Sequence, residues 1–259
     1  MHEKLKISVV VVAKNEEDHL EGALISINSS KLSPSEIIVI DGDSTDRTVE
    51  IAKKYTDKVF VSKNSNLTED RQIGINKASY SLVAMIDADN RITKNTLSDM
   101  MSDLNKYNLD IVQASIYAPG DDFWCKAETE SLDLTTNIPG LKKMVGVAPN
   151  IYKKEIFDYI QFDSHITKTI DDTDFMYRLH KLKKFRLGTS STRVVNLHVG
   201  TFKDYVDKFI WYGVGDGEFC KKHKNRAFSM IFHLSIRYPI IYPLKALFHL
   251  KFKAIPYFM

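Results

Sequence analysis

Five short runs rich in β-branched residues recur along residues 1–115: ISVVVVA (7–13), EIIVID (36–41), KVFVS (58–62), SLVAMID (81–87) and DIVQAS (110–115). Between them apolar residues return at helical spacing, as at Leu20, Leu24 and Ile27. Ser44, Thr45 and Asp46 form a helix-starting cluster ahead of Val49 and Ala52. Continuous apolar strands alternating with helices predict a mostly parallel sheet covered on both faces. Ligands of such sheets sit beyond the carboxyl ends of the strands, and Asp41 and Asp87 stand there.

The later half is less regular. DDFWCKAETESLDL, GVAPNIYKKEIFDYIQF and DDTDFMYRLHKL precede the strand-like FRLG and VVNLHVG, and a helix is expected from about Thr201 to Lys222. No Pro/Gly/Ser linker divides the halves, so inserted recognition elements are expected rather than a separate domain. At 259 residues, with 44% apolar and 27% charged content, the chain can build one substantial core and is neither disordered nor fibrous. Cys125 and Cys220 match no metal or redox spacing, which favours free thiols in a reducing compartment. The opening MHEKLKISVVVVAKNEE reads as a first strand and not as a signal peptide, so a cytosolic protein is expected.

The net charge of +3 says less than its distribution. After Glu218 there is no acidic residue, while eight Lys and Arg follow, interleaved with aromatic and aliphatic side chains. The longest uncharged run, AFSMIFHLSI, is about half of the ~20 residues that a membrane span needs. Such a tail suits the plane of an anionic membrane surface; the competing expectation is a helix packed on the main domain with a solvated basic face. Nucleic-acid binding is not expected, because the tail matches no recognised module.

Asp-x-Asp occurs three times, at Asp41/Asp43, Asp87/Asp89 and Asp172/Asp174, so position must separate the cases. Asp87 and Asp89 follow the buried VAMI run, and side chains two residues apart can converge on one ion. Hard divalent cations, Mg²⁺ or Mn²⁺, take carboxylate oxygens together with substrate phosphates, which points to a diphosphate cargo. The alternative is that both aspartates cap a helix starting near Thr93. Asp41 can accept from an imide or a ribose hydroxyl, or can cap the next helix.

Taken together these residues resemble the family 2 glycosyltransferases, inverting enzymes of the GT-A fold that use nucleotide-sugars. VVVVAKNEEDHLEGALISI is similar to the family's opening strand, Asn-Glu-Glu and amphipathic helix. EIIVIDGDSTDRTVEIA resembles its Asp-(Asp/Gly)-x-Ser-Thr-Asp-x-Thr signature. EDRQIGINKASYSLVAMIDADN resembles its Arg-Asn-x-Gly helix leading to Asp-x-Asp, with Gln72 where asparagine is usual. GVAPNIYKKEIF looks like the acceptor-side strand and helix, and DDTDFMYRL like the Glu-Asp-x-(Asp/Glu)-Leu-x-x-Arg segment, with Asp171 in place of glutamate. The resemblance covers about residues 5–215.

It implies a Rossmann-like, nucleotide-binding mixed α/β sheet flanked by helices. The GT-A domain would span 1–220, with a donor half to about 115 and an acceptor half from about 116, and a basic, aromatic, helical extension would span 221–259. It implies that Glu16 and Asp41 hold uracil and ribose, that Arg71 holds the nucleotide or its phosphate, and that Ala13, Asn15 and Ala88 line the donor. Asp87 and Asp89, with His198, would hold a Mn²⁺ or Mg²⁺ ion on the diphosphate. Asp172 would be the general base, with Asp171 beside it as the other candidate, because three crowded carboxylates should raise at least one pKa. Asp174, Arg178 and Trp124 would face the acceptor. The competing expectations are a surface ion pair for Asp174 and Arg178 and a core or interface tryptophan for Trp124. The glycines of WYGVGDGEF lack the strand-turn-helix setting of a dinucleotide loop, and that reading is set aside.

The expected activity is metal-assisted, inverting transfer of a sugar, from a UDP-sugar above all, to a glycan or lipid-linked acceptor. A polyprenyl-phosphate glycosyltransferase is the alternative within the same chemistry. A sugar-nucleotide nucleotidyltransferase would want a Gly-rich basic loop where VVVVAKNEED offers acids, and a non-catalytic sugar-binding module completes the set.

Overall fold

The computed structural model describes residues 6–166, 170–197 and 201–259. The first half alternates as its pattern predicts. It comprises β1 (Ile7–Ala13), α1 (Leu20–Asn28), β2 (Glu36–Asp41), α2 (Thr48–Lys53), β3 (Val59–Val61), α3 (Leu67–Lys77), β4 (Leu82–Met85), β5 (Asn90–Arg91), α4 (Thr96–Lys106) and β6 (Ile111–Tyr117). The second half adds α5 (Phe123–Leu134), β7 (Gly140–Lys142), β8 (Asn150–Lys153), α6 (Asp171–Lys181), β9 (Leu187–Asn196) and α7 (Phe202–Lys222).

Among the described residues one sheet runs in the order β3-β2-β1-β4-β8-β6-β9-β5, with β7 also on β9. The first four strands are mutually parallel; β8 runs antiparallel to both β4 and β6, and β9 is parallel to β6. The sheet is therefore mixed, with β8, β7 and the two-residue β5 running against the other strands. All seven residues of β1 are buried because both of its faces are covered. Alternate side chains go to opposite layers. Val9, Val11 and Ala13 join Leu20, Leu24 and Ile27 of α1 and Leu97 and Met101 of α4. Val10 and Val12 join Ile75 of α3 and Phe175 and Leu179 of α6.

Gly74 explains how α3 comes so close. A Cβ there would lie 2.3 Å from Val10 Cγ1, so only glycine lets the helix rest on β1. Leu187 and Gly188 of FRLG and residues 194–196 of VVNLHVG fall in the single long strand β9, accommodated by a register shift against Gln113 and Ser115 of β6. The helix expected after β8 is one 3₁₀ stretch, Lys154–Asp158.

Beyond α7 a short 3₁₀ turn leads into α8 (Ala227–Phe232), a π-helical stretch His233–Ile241, α9 (Tyr242–Phe248) and α10 (Ala254–Phe258). Pro239 lies inside the π stretch. Its missing N–H and its ring, which crowds the carbonyl one turn back, disfavour the ordinary helical ladder there. Tyr257, Phe258 and Ala254 of α10 and Ala246 of α9 pack on Ala127 and Leu134 of α5. No helix among the described residues is long and apolar enough to cross a membrane.

Candidate active site

The tips of β1 and β2 lie side by side, Ala13 in register with Asp41. Asn15 turns the chain with φ 54°, a left-handed conformation that asparagine tolerates better than most residues. Its Oδ1 accepts the Thr45 N–H at 2.9 Å, and its own N–H donates to Ser44 Oγ at 2.8 Å. The Glu16 N–H donates to Thr48 Oγ1 at 2.8 Å, so the two loops after β1 and β2 are laced together. Asp41 is fully buried. Its Oδ2 accepts the Ser44 N–H at 3.0 Å, while its Oδ1 is buried without a partner. One oxygen orders the turn, and the other is a buried acceptor that a ligand donor would satisfy. Ala13 and Ala88 are both buried.

Asp87 and Asp89 follow β4, whose hydrogen bonding to β1 continues through the Ile86 N–H to Val10 O at 3.0 Å. The Asp87 side chain is 33% exposed and takes Arg71 Nη1 at 3.0 Å. Asp89 accepts from Asn90 Nδ2 on one oxygen and from Asn196 Nδ2 on the other, each at 3.0 Å. These amides orient the carboxylate. The helix that the aspartates were weighed as capping begins only at Thr96, where the Thr93 N–H donates to Thr96 Oγ1 at 2.9 Å. The Arg91 guanidinium donates to the carbonyls of His19, Ala88 and Asn90 at 2.7, 3.1 and 3.0 Å, fixing the β1 loop to the β4 tip. Glu16 shares this acidic pole. Burial, then the charges of Asp89 and Asp87, push its carboxyl up to about 7.

Arg71 of α3 connects this pole to the second half. It is buried, with Nη1 on Asp87 and Nε 2.9 Å from Asp171 Oδ2. The second contact is an ion pair without hydrogen-bond alignment. Burial by itself would lower the guanidinium's pKa, and the two carboxylates outweigh it. Asp171 is buried at the start of α6. Burial and the Asp87 charge push its carboxyl up, and Arg71 opposes them. The half-buried Asp172 beside it is raised to about 6, first by burial and then by Asp171, although the Thr173 N–H and Oγ–H donate to it. Ahead of them Ile170 has φ 76°, an outlier for a β-branched residue, costing roughly 1–3 kcal/mol. This strained turn sets both carboxylates at the helix N-terminus, where the helix dipole favours negative charge.

Other expected site residues have different tasks. Asp174, 1% exposed, holds Arg178 Nε on one oxygen and Lys222 Nζ and His223 Nε2 on the other, all at 2.7 Å. Arg178 also donates to Gln161 O at 2.9 Å. This pair clamps α6 to the end of α7, because Arg178 takes one Asp174 oxygen and Lys222 the other. Trp124 stacks on Tyr205 with ring centroids 4.6 Å apart and lies 5.0 Å from Phe202, packing α5 on α7. His198 lies outside the described residues.

Two residues of α7 were not anticipated. Lys208 is paired with the buried Glu128 of α5. Burial would lower its pKa, and Tyr212, Glu128 and Asp89 outweigh that. The Tyr212 hydroxyl is raised by burial and feels the charge of Asp172. Lys208 ties α7 to α5. The signal was the helical i, i+4 spacing of Lys208 and Tyr212, in a segment whose glycines drew attention first.

Among the described residues no three His, Cys, Asp or Glu side chains form a ready metal cage. The site is a pair of aspartates facing a third acid at one end of an arginine bridge, with a half-buried carboxylate of raised pKa at the other.

Residues 8–184 match the family described as Glycosyl transferase family 2. The chain is 24% identical over 180 residues to glycosyltransferase GlyA of Streptococcus pneumoniae and 30% identical over 119 residues to cholesterol galactosyltransferase of Borreliella burgdorferi. These alignments cover 61% and 44% of this chain but only 26% and 33% of those relatives. Among solved structures, Staphylococcus aureus TarS in complex with UDP-GlcNAc superposes with a TM-score of 0.61 at 19% identity, covering 98% of this chain and 79% of that one. The likeness to TarS is one of fold, a mixed α/β sheet with flanking helices of the GT-A type. A match over residues 8–184, taking in both the strand-tip acids and the start of α6, places this chain in glycosyl transferase family 2.

Proposed function

We propose that the protein transfers a sugar from a UDP-sugar to a hydroxyl of a glycan or lipid-linked acceptor, inverting the anomeric centre, with divalent-metal assistance. The observation that carries this reading is Arg71, which ties Asp87 at the strand tip to Asp171 at the start of α6. On this reading it joins a donor-side carboxylate to an acceptor-side one. Solved TarS structures in complex with UDP and with UDP-GlcNAc have this fold and support a uridine donor.

Asp41 offers its unpartnered buried oxygen to a donor group of the nucleoside, and the Asn15 and Glu16 loop lies next to it. The residues fit a hard cation: Asp87 and Asp89 gather carboxylate oxygens at the strand tips, and burial together with their charges pushes the neighbouring Glu16 carboxyl up to about 7. Asp87 and Asp89 would hold Mg²⁺ or Mn²⁺ together with diphosphate oxygens. When bound, such an ion neutralises charge on the departing diphosphate. Asp172, ionised above about pH 6, accepts the acceptor hydroxyl's proton as that oxygen attacks from the face opposite the nucleotide. The hydroxyl oxygen forms the new glycosidic bond as the bond to the diphosphate breaks.

The test is UDP release from a panel of UDP-sugars with Mn²⁺ or Mg²⁺, for the wild type and Asp89→Ala. The reading expects turnover that chelation abolishes and that the variant lacks. Turnover indifferent to chelator and to the substitution would remove the metal-diphosphate assignment, and no turnover of any UDP-sugar would remove the donor.

A further inference from the structure

We propose that the segment following α7 is an interfacial docking surface for an anionic lipid membrane. This does not rest on the transferase reading. Helix α8, the π-helical stretch and α9 follow one another without a break from Ala227 to Phe248, a rod of roughly 30 Å at about 1.5 Å per residue. One side faces the protein. Met230 packs against Tyr177 and Phe219, and Tyr238, Tyr242 and Ala246 pack against α5 and α10.

The remaining surface is apolar and open. Phe228 is 81% exposed and Phe248 84%, and Ile231, Phe232, Ile240 and Leu244 are exposed between them on successive turns. A row of this length exceeds the scattered apolar residues usual on a soluble surface. Lys221 and Lys224 at the approach to the rod and Arg237 near its middle are also exposed. No acidic residue follows Glu218, so nothing within the segment offsets these charges.

The combination selects the occupant. A second copy of this chain would bring like charges together across the contact. A nucleic acid would meet the cations but leave the aliphatic row in water. An anionic bilayer satisfies both at once, with phenyl and aliphatic side chains entering the acyl boundary and the cations meeting the headgroups. The rod carries Arg237 and Lys245 within its length, and no helix among the described residues is long and apolar enough to cross a bilayer. It therefore lies in the plane of the interface.

The experiment is co-sedimentation of the purified protein with phosphatidylglycerol-containing vesicles and with pure phosphatidylcholine vesicles, at low and high salt. The variants are Phe228→Asp/Phe248→Asp and Lys221→Glu/Arg237→Glu, with melting temperature and far-UV circular dichroism confirming the fold. Expected is binding to the anionic vesicles that salt weakens, reduced roughly tenfold or more per phenyl ring removed and about fivefold per cation removed. Absence of binding to anionic vesicles, or binding that neither variant alters, overturns the proposal. So does a lipid-free dimer that the phenylalanine variant dissociates, since the face is then covered by a second copy.

Discussion

Arg71 Nε lies 2.9 Å from Asp171 Oδ2, and both side chains are buried. One belongs to the helix beneath the first parallel strands and the other opens the helix of the second half, so two buried charges join the halves. Breaking such a pair on one side strands the other charge. Arg71→Met is expected to cost about 3–5 kcal/mol in urea unfolding. Arg71→Met/Asp171→Asn should lose less than the two single losses added, which a double-mutant cycle reads directly.

Asp172 sits beside Asp171 with its pKa raised to about 6 by burial and by that neighbour. A general base works ionised, so kcat/KM should rise with pH through about 6 and level above it. Asp172→Asn should lower kcat by about 10²- to 10⁴-fold while leaving UDP-sugar affinity in place. Calorimetry on the variant separates loss of the proton acceptor from loss of the donor site.

Asp174 has a different role two residues on. Burial pushes its carboxyl up, but Lys222, His223 and Arg178 outweigh burial and hold it below its ordinary 3.8. The stability it contributes is complete above that ordinary value and is lost as pH falls below it. Asp174→Asn is expected to destabilise the fold by about 1–3 kcal/mol by removing the buried charge that holds the partly exposed Arg178, Lys222 and His223. Donor KM should stay near the wild-type value, and denaturant unfolding beside steady-state kinetics checks both halves.

Gly74→Ala tests why a glycine interrupts α3. Alanine favours a helix by about 1 kcal/mol, yet its Cβ would sit 2.3 Å from Val10 Cγ1. Overpacking of this kind costs about 1–3 kcal/mol, so the variant should melt lower than the wild type in a thermal scan.

Much of the fold was legible because its signals are local. The continuous apolar run of β1 and the helical spacing of Leu20, Leu24 and Ile27 are written in consecutive residues, and each holds once both faces of the sheet are covered. Thr201 and Asp204 form a reciprocal capping box that starts α7 within a residue of its expected place. The strand-tip positions of Asp41, Asp87 and Asp89 follow from where their apolar runs stop.

Tertiary packing decided the rest. Sequence spacing alone could not show that Arg71 reaches both Asp87 and Asp171, or that Lys222 and His223 claim Asp174. It left both a packing and a ligand-facing reading open for Trp124, which faces Tyr205. Those partners lie far apart along the chain, and which charges meet depends on how helices settle on a mixed sheet. Residue types within one segment set its periodicity and its capping. Partner choice among buried charges is settled only when desolvation and geometry act on all of them together, because an ion leaves water only where an opposite charge waits for it.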